Sequence, residues 1–348
     1  MLYAHPDEAH RQAGVPVQGR SWSDAAYGDE NLAGIVWENC EFERVRFERA
    51  DLRQTVFVNC RFDDCEFLDC RLGETLFSGC SGAGAAISGG ELYGVVIAKT
   101  QWERLAIART GRNCVLSESG FGEIEFNGEG ARQRALTLSG VCFERLRAEN
   151  AEWTDGTAVE LELANCYFSG AVFTRTALVG AKGRGLDFSE VRFESCNLFQ
   201  SDFSGSRLRH APGSIFAESV LEEADFSQAM LEGALFAQAS GAKARFDKAN
   251  LTSAMFPKAA LREASFRDAS AHTSVWREAD LGGANLAGLD AFRGIFRNAN
   301  MDGAEVSGAS FACADLHGVK QSLEGADTRE ARGTLDWRAE LERQSLAT

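Results

Sequence analysis

Large apolar residues recur at every fifth position over most of the chain. From Leu32 to Ile107 every fifth residue is large and apolar, with Gly82 as the one exception. The series then slips three times, and its last frame runs from Phe216 to Leu316. A period of five fits neither an α-helix nor a single strand, because a helix returns to one face after about 3.6 positions and a strand at every second position. The pattern therefore predicts a chain that turns a corner every five residues.

The residue two positions before each large one is small, as at Ala50, Cys60 and Ala224. The repeating unit thus reads small, polar, large apolar, polar, polar, and both apolar positions are expected to point inward. The predicted structural core includes Phe42, Phe57, Phe62, Phe67, Phe77, Phe216, Phe236, Phe256, Trp276 and Phe296.

The order of charges predicts how many units make one coil. Residues directly stacked in neighbouring strands should carry opposite charges. A spacing of four units gives such pairs at Glu41/Arg61, Arg46/Glu66 and Asp51/Arg71, whereas spacings of three or five units give fewer. We therefore expect four units per coil, with successive coils about 4.8 Å apart.

Several units carry a recognisable signature, among them ADLRQ (50–54), ADFSQ (224–228), ANLTS (249–253) and ADLHG (314–318). They resemble the A(D/N)LXX units of the pentapeptide-repeat family, over most of the chain. The resemblance implies an all-β fold, a right-handed quadrilateral β-helix that acts through its outer surface. If nothing interrupts it, residues 17–316 would form a rod of roughly 70 Å.

Breaks in the period predict the domain organisation. Residues 1–16 lie outside the repeat, residues 17–210 form a solenoid with slips near 108–115 and 137–142, and residues 211–318 continue it. Each slip is expected to be a bulge or loop, and Pro212 and Gly213 in the slip at 209–215 mark the best candidate for a kink.

The C-terminal region, 319–348, is expected to cover the open end of the solenoid with a short helix over 328–346. Its apolar residues are Leu335, Trp337, Ala339 and Leu341. An open end exposes core and unpaired strand edge, so a cap is needed there. The alternative is that two copies form a homodimer through that end.

Residues that resemble reactive or metal-binding groups are expected to be structural. Eight of the ten cysteines occupy the small inward position, where a free thiol acts as a small apolar group; Cys142 and Cys313 do not. The five histidines form no pair at zinc-site spacing, and no phosphate-binding loop is present. Because a filled coil leaves no space for a substrate, we expect no enzyme and no catalytic, metal-binding or cofactor-binding residue.

The net charge of −15 argues against direct binding of nucleic acid, which needs a basic surface. No segment approaches the ~20 apolar residues of a membrane span, and the charged start does not fit a Sec-type signal peptide. A cytoplasmic protein is expected, with another protein as its partner.

Three functions are open at this point: a protein-binding scaffold, a DNA mimic that binds DNA gyrase as some members of the family do, and an accessory or effector protein of a bacterial secretion system. A mimic of about 70 Å would present about 40 negative charges, since B-DNA carries about one per 1.7 Å. The alternating signs here favour the scaffold. Two acidic clusters remain the candidate surface patch: Asp63, Asp64, Glu66 and Asp69, and Glu222, Glu223 and Asp225.

Overall fold

The computed structural model describes residues 15–90, 92–107, 111–126, 132–139, 141–163, 166–319 and 323–333. Within these ranges the chain consists of short parallel strands, turns and isolated bridges, with no helix. The predicted parallel β-solenoid is therefore confirmed. The chain divides into two compact units, Met1–Ala181 and Lys182–Thr348.

In the first unit, one face of the solenoid is a sheet of nine stacked strands. Val17 pairs with Trp37 and Phe57 with Phe77, which is the predicted spacing of four repeats. We call this face one, and its strands are β1 (Val17–Gln18), β4 (Val36–Glu38), β7 (Val56–Val58), β10 (Leu76–Ser78), β14 (Val96–Ala98), β17 (Val115–Ser117), β20 (Thr137–Ser139), β23 (Thr157–Val159) and β27 (Ala177–Val179).

Faces two and three of the first unit share a second sheet. Face two is formed by β2 (Ser21–Ser23), β5 (Glu41–Glu43), β8 (Arg61–Asp63), β11 (Ser81–Gly82) and β24 (Glu162–Leu163). Face three is formed by β3 (Ala26–Gly28), β6 (Arg46–Glu48), β9 (Cys65–Leu68), β12 (Ala85–Ser88) and β25 (Cys166–Tyr167). Three longer strands run through both faces without a corner: β15 (Gln101–Ile107), β18 (Gly120–Phe126) and β21 (Cys142–Arg147).

Face four begins with the bridges Asn31–Asp51 and Asp51–Arg71. It continues through β13 (Leu92–Tyr93), β16 (Gly111–Arg112), β19 (Arg132–Arg134), β22 (Glu152–Thr154) and β26 (Val172–Thr174). The second unit contains β28 (Asp187–Glu194) and β29 (Arg207–His210), after which columns of single bridges carry the stack, such as Asn250–Ser270–Asp290–Ser310.

Most repeats end at a corner, two positions after the large inward residue. Corner residues such as Asn39, Arg44 and Asn59 have a left-handed backbone, with φ of 53°, 51° and 52°. This conformation is unfavourable for residues with a Cβ. The packing of the inward residues on both sides of the corner must hold it in place.

Inward side chains stack in columns along each unit. In the second unit the rings of Phe216, Phe236, Phe256, Trp276 and Phe296 follow one another at centroid distances of 4.9, 4.6, 4.1 and 5.6 Å. In the first unit Phe42 stacks on Phe62 at 4.9 Å, and Phe57 stacks on Phe77 at 5.0 Å. All ten predicted core residues are buried, none more than 2% exposed.

The first slip shortens a coil and the second slip lengthens the next one. Ile87 pairs with Ile107 but Leu92 pairs with Gly111, so the first change falls within the predicted range of 108–115, of which residues 108–110 lie outside the described residues. Ile97 pairs with Leu116, so that coil is one residue shorter than four repeats, and Leu116 pairs with Leu138, so the next is two residues longer. Because Phe126 still pairs with Ile107, the extra residues enter after Phe126 and not at 137–142. Residues 137–139 instead form β20, with Leu138 rather than Leu136 at the large inward position.

The third slip, at 209–215, is a shortened corner. Phe188 pairs with Leu208, but Arg192 pairs with His210, so two residues are missing between the two pairs. Pro212 and Gly213 form an ordinary corner, in which Gly213 has a φ of 61°. The solenoid turns normally at the position expected to kink.

At the C-terminal end, the repeat continues further than the sequence indicated. Asp327 bridges Ser310 and Arg332 bridges Asp315, so residues 328–333 are turn and bridge where the start of a helix was expected. The remainder of the predicted helix, like residues 1–14 of the N-terminal segment, lies outside the described residues.

Candidate functional site

Face one of the first unit carries a column of apolar side chains on its outer surface. These residues precede the inward residues of their strands and pair directly with one another, Val56 with Leu76 and Leu76 with Val96. Each is half-buried by its neighbours in the column. We call this column the first stripe: Val36, Val56, Leu76, Val96 and Val115.

The surface beside the first stripe is almost uncharged. The outward residues on the other side of the same strands are Glu38, Val58, Ser78, Ala98 and Ser117, and Glu38, at one end of the row, accepts a hydrogen bond from Gln18. The charged pair nearest to them along the chain is Lys99 and Glu118, whose side chains meet at 4.0 Å. Face one therefore presents a flat, mainly neutral surface with an apolar centre.

A similar column lies on the outer surface of the second unit. Ile215 and Met255 are 37% and 39% exposed, and the others are half-buried. Beside them on the same face lie Ala217, Ala237 and Pro257, and, next to Val275 and Ile295, the exposed Arg277 and Arg297. We call this column the second stripe: Ile215, Leu235, Met255, Val275 and Ile295.

Neither stripe is visible in the repeating unit averaged over all four faces, because this outward position is polar in the average. The stripes become visible in the sequence when outward residues four repeats apart, one coil length, are compared with one another. Val36, Val56, Leu76 and Val96 lie four repeats apart, as do the members of the second stripe.

A polar groove lies on face two, where several outward positions have no side chain or a small one. Its floor contains Gly82, Ala83, Gly120 and Gly122. Two ion pairs lie at its rim: Arg104 lies 3.7 Å from Asp64 and Arg145 lies 3.7 Å from Glu123. The groove is thus a wide depression whose rim carries charges of both signs.

The predicted acidic cluster in the first unit is largely paired. Asp63 accepts hydrogen bonds from Arg61 at 2.5 Å and from the backbone N–H of Ala83 at 2.9 Å. Glu66 lies 3.8 Å from Arg46. Asp64 reaches Arg104 across the layer of Gly84, whose missing side chain leaves the space open. Asp69, at the next corner, lies on a different edge of the coil.

The predicted cluster in the second unit is also held by local contacts. Arg209 donates to Asp225 at 3.0 Å. Partial burial alone would raise the pKa of Asp225, but hydrogen bonds from Ser227 and Arg209 lower it to about 2. Glu222 accepts a hydrogen bond from Ser240, and its other carboxylate oxygen is buried. Glu223 occupies a corner, with φ of 57°. The seven residues of the predicted patch therefore form two separate clusters, one in each unit.

Six of the eight cysteines predicted to point inward are buried: Cys40, Cys60, Cys65, Cys70, Cys80 and Cys196. Cys114 is half-buried, and the side chain of Cys166 lies outside the described residues. Burial raises the pKa of Cys65 and of Cys70 to about 11 in each case. Within the described ranges, no three side chains among His, Cys, Asp and Glu are grouped to hold a metal ion. A cavity of about 20 Å³ lies inside the first unit between Ile97 and Gln133, enough for one water molecule.

Two family models match the chain. The model of the pentapeptide repeat region matches residues 31–107, and the model of pentapeptide repeats matches residues 219–256, 244–272 and 296–320. No curated protein matches the chain. No helix in the described part of the chain has the length and hydropathy to cross a membrane.

Solved structures similar to this chain include two bacterial proteins and a viral one. HetL, a pentapeptide repeat protein involved in heterocyst differentiation regulation in the cyanobacterium Nostoc sp., is 17% identical over 93% of this chain and 95% of its own, with a TM-score of 0.18. QnrB1, a plasmid-mediated fluoroquinolone resistance protein, is 16% identical over 95% of this chain and 97% of its own, with a TM-score of 0.19. The tailspike protein of E. coli bacteriophage HK620 is 10% identical over 92% of this chain and 72% of its own, with a TM-score of 0.27. With TM-scores this low, none of the three supports a comparison residue by residue.

Proposed function

This chain belongs to the pentapeptide-repeat family, and from that premise we propose that it is a non-enzymatic scaffold that binds a partner protein on face one of its first unit. The observation that carries the proposal is the first stripe. Five apolar side chains line up on an outer surface, at a position that is mainly polar or small on the other faces of the same coils.

The stripe has the properties of the centre of a protein interface. Burying apolar surface contributes about 25 cal/mol per Å², and the centres of interfaces are depleted in charged residues. Parallel strands hold the five side chains in a fixed row, so little conformational entropy is lost when a partner covers them. We therefore expect a partner that presents a complementary apolar surface.

Gyrase binding by DNA mimicry is less well supported. A mimic needs free negative charge along a surface, whereas Asp63, Glu66 and Asp225 lie against arginines of their own unit. Paired charges of this kind produce a weak external field.

The proposal is tested with two variants of the full chain that receive the same chemical change on different faces. Val56→Lys with Val96→Lys places charges in the first stripe. Ser81→Lys with Gln101→Lys places them on face two, at the same outward position. Circular dichroism and thermal unfolding establish that both variants fold like the wild type.

Each form is used as bait in a lysate of the native host, and bound proteins are quantified by mass spectrometry. The partner retained by the wild type is then purified and its Kd measured. We expect the stripe variant to weaken binding at least tenfold, as loss of an interface hot spot does, and the face-two variant to change it less than about threefold. Equal weakening by both variants, or weakening by the face-two variant alone, would show that face one is not the binding surface.

A further inference from the structure

Two arginines lie directly over one another on face four of the first unit. Arg112 of β16 pairs in register with Arg134 of β19, and both side chains are exposed. We call them the arginine pair. Directly stacked like charges are destabilising, and most charged residues that pair in register in this unit have opposite signs, as Arg132 and Glu152 do. The arginine pair therefore costs stability that its neighbours do not.

The charge of the arginine pair is only weakly compensated within the protein. Among the residues that the structure describes, no carboxylate oxygen lies within 4 Å of a guanidinium nitrogen of Arg112. Arg134 lies 3.9 Å from Asp155, but Arg175 already holds both oxygens of that carboxylate, at 2.7 and 3.1 Å. The pair is thus a local positive site in a chain whose net charge is −15.

An exposed aromatic ring continues the column below the arginine pair. Tyr93 pairs in register with Arg112 and is 46% exposed. The next residue down this face is Gly73, whose missing side chain leaves a cleft of about 440 Å³ between Tyr93 and Arg53. The column therefore places an apolar ring and an open space beside two guanidinium groups.

The arginine pair lies around one corner from the first stripe. Arg112 ends β16, Asn113 forms the corner with a φ of 52°, and Val115 begins β17 on face one. In the layer below, Tyr93 and Val96 are related in the same way. A partner that covers this end of the first stripe would therefore have its edge beside the arginine pair.

We propose that the arginine pair binds a phosphoryl group carried by the partner protein. At neutral pH such a group has a charge of about −1.5 to −2 and three acceptor oxygens, which matches two guanidinium groups and their bidentate geometry. A carboxylate has about half that charge and would leave the repulsion between the arginines partly in place. Nucleic acid would need a wider basic surface than one column of an acidic chain. That the group belongs to the partner on face one rests on the proposed function, whereas its binding by the arginine pair does not.

Phenyl phosphate is the probe for the site itself, because it joins a phosphoryl group to a ring that can lie on Tyr93. Phosphorus NMR of the probe, titrated with the full chain, gives its Kd. Arg112→Gln with Arg134→Gln should weaken binding at least tenfold. Replacing both by lysine should weaken it at least threefold, because lysine keeps the charge but not the bidentate geometry.

The matched control removes the same charge from face two of the same unit. Arg104→Gln with Arg145→Gln should weaken the binding of phenyl phosphate less than twofold, and circular dichroism establishes that all variants fold like the wild type. Benzoate presents the same ring with a carboxylate and should bind at least fivefold more weakly. Absence of saturable binding, equal weakening by both glutamine variants, or equally tight binding of benzoate would overturn the proposal.

The source of the phosphoryl group is tested with the purified partner captured from the host lysate. Phosphatase treatment of the partner should raise its Kd for the wild type at least fivefold and leave its Kd for Arg112→Gln with Arg134→Gln unchanged. If neither phosphatase nor this variant changes the Kd while Val56→Lys with Val96→Lys raises it, the function proposed for face one stands and the present proposal fails. If phosphatase and the arginine variant raise the Kd while the first-stripe variant does not, the arginine pair is the binding site and face one is not.

Discussion

At the scale of the residue, the least predictable feature is the corner. The sequence indicates that a corner must occur every five residues, but residues with left-handed backbone include Asn39, Arg44, Lys243 and Glu263. These residue types share no turn signature, since glycine and asparagine are the usual choices for such a conformation. The corner was therefore predictable from the period but its residue was not.

Ala135 provides a test of corner strain, because it has a φ of 52° and no polar side chain to compensate. Ala135→Gly should stabilise the protein by about 0.5 to 1 kcal/mol, as relief of a strain of about 1–2 kcal/mol exceeds the added entropy of the unfolded chain. Ala217→Gly is the control, since Ala217 is an outward residue before a corner. It should destabilise by about 0.5 to 1 kcal/mol. The free energies of unfolding are measured by chemical denaturation, and a change of the same sign in both variants would contradict the account.

Cys313 is a corner residue whose thiol is partly exposed, unlike the inward thiols of Cys60 and Cys65. Its thiol lies 3.3 Å from a carboxylate oxygen of Glu330, and this hydrogen bond raises the pKa of Cys313. Since the thiolate is the reactive form, labelling of Cys313 should be slow at neutral pH and accelerate as the pH rises. Glu330→Gln should increase the labelling rate at pH 8 several-fold. Mass spectrometry of labelled peptides measures the labelling rates. Faster labelling of Cys60 than of Cys313 in the folded protein would show that Cys60 does not point inward.

The side chain of Cys142 lies outside the described residues, so its expected reactivity stays a prediction.

At the scale of the element, the inward columns could be read from the sequence because one rule governs every coil. The slips could be located only roughly. Each change of coil length falls between two neighbouring paired segments, and the pairing on either side of it continues in register. Near Leu136 and Leu138 both alternatives are apolar and both are buried, so composition could not decide between them.

Phe57 measures how much one ring contributes to such a column. It is fully buried and stacks on Trp37 at 6.2 Å and on Phe77 at 5.0 Å. Phe57→Ala should lower the free energy of unfolding by about 3 to 5 kcal/mol, because it leaves a cavity in a stack that cannot close around it. Arg53→Ala removes an exposed ion pair with Asp51 and should cost less than about 0.5 kcal/mol. Similar losses in the two variants would mean that the register of the coil is misassigned.

Gly82 interrupts the large inward series, and the structure shows why a side chain is excluded there. A Cβ at Gly82 would lie 1.8 Å from the carbonyl oxygen of Phe62, which is backbone and cannot move away. The ring of Trp102 instead closes the gap, stacking on Phe62 at 5.6 Å. Gly82→Ala should therefore destabilise the protein by about 1 to 3 kcal/mol.

Gly84 is the matched control for Gly82. A Cβ there would meet the side-chain ends of Asp64 and Arg104, at 3.2 and 3.3 Å, and both are free to adjust. Gly84→Ala should cost less than half as much as Gly82→Ala in chemical denaturation. Equal costs would indicate that the backbone entropy of glycine, rather than the contact with Phe62, sets the effect.

At the scale of the whole molecule, the sequence predicted the family, the coil length and the sign of the charge, but not which surface is functional. The acidic clusters were conspicuous because carboxylates are easily counted. Their arginine partners lie one or two layers away or on the same strand, so pairing emerged only when the coils were stacked. The stripes were inconspicuous for the opposite reason, since a single valine in an outward position carries no signal until its column is seen.

The distribution of charge leads to the last prediction, which concerns DNA gyrase. The chain has 51 acidic and 36 basic residues, and the carboxylates of both predicted clusters mostly contact arginines or backbone donors within their own unit. A surface with its charges paired in this way presents a weak field to a DNA-binding groove. The purified protein should therefore neither inhibit supercoiling by gyrase nor relieve its inhibition by quinolones at micromolar concentration. Glu222→Gln, Glu223→Gln and Asp225→Asn together should leave both assays unchanged, as should the control Glu263→Gln, Asp268→Asn and Glu278→Gln, which removes the same charge from corners of the same unit. Sub-micromolar, salt-sensitive binding to gyrase that the first triple variant abolishes and the second retains would make DNA mimicry the better account of this protein.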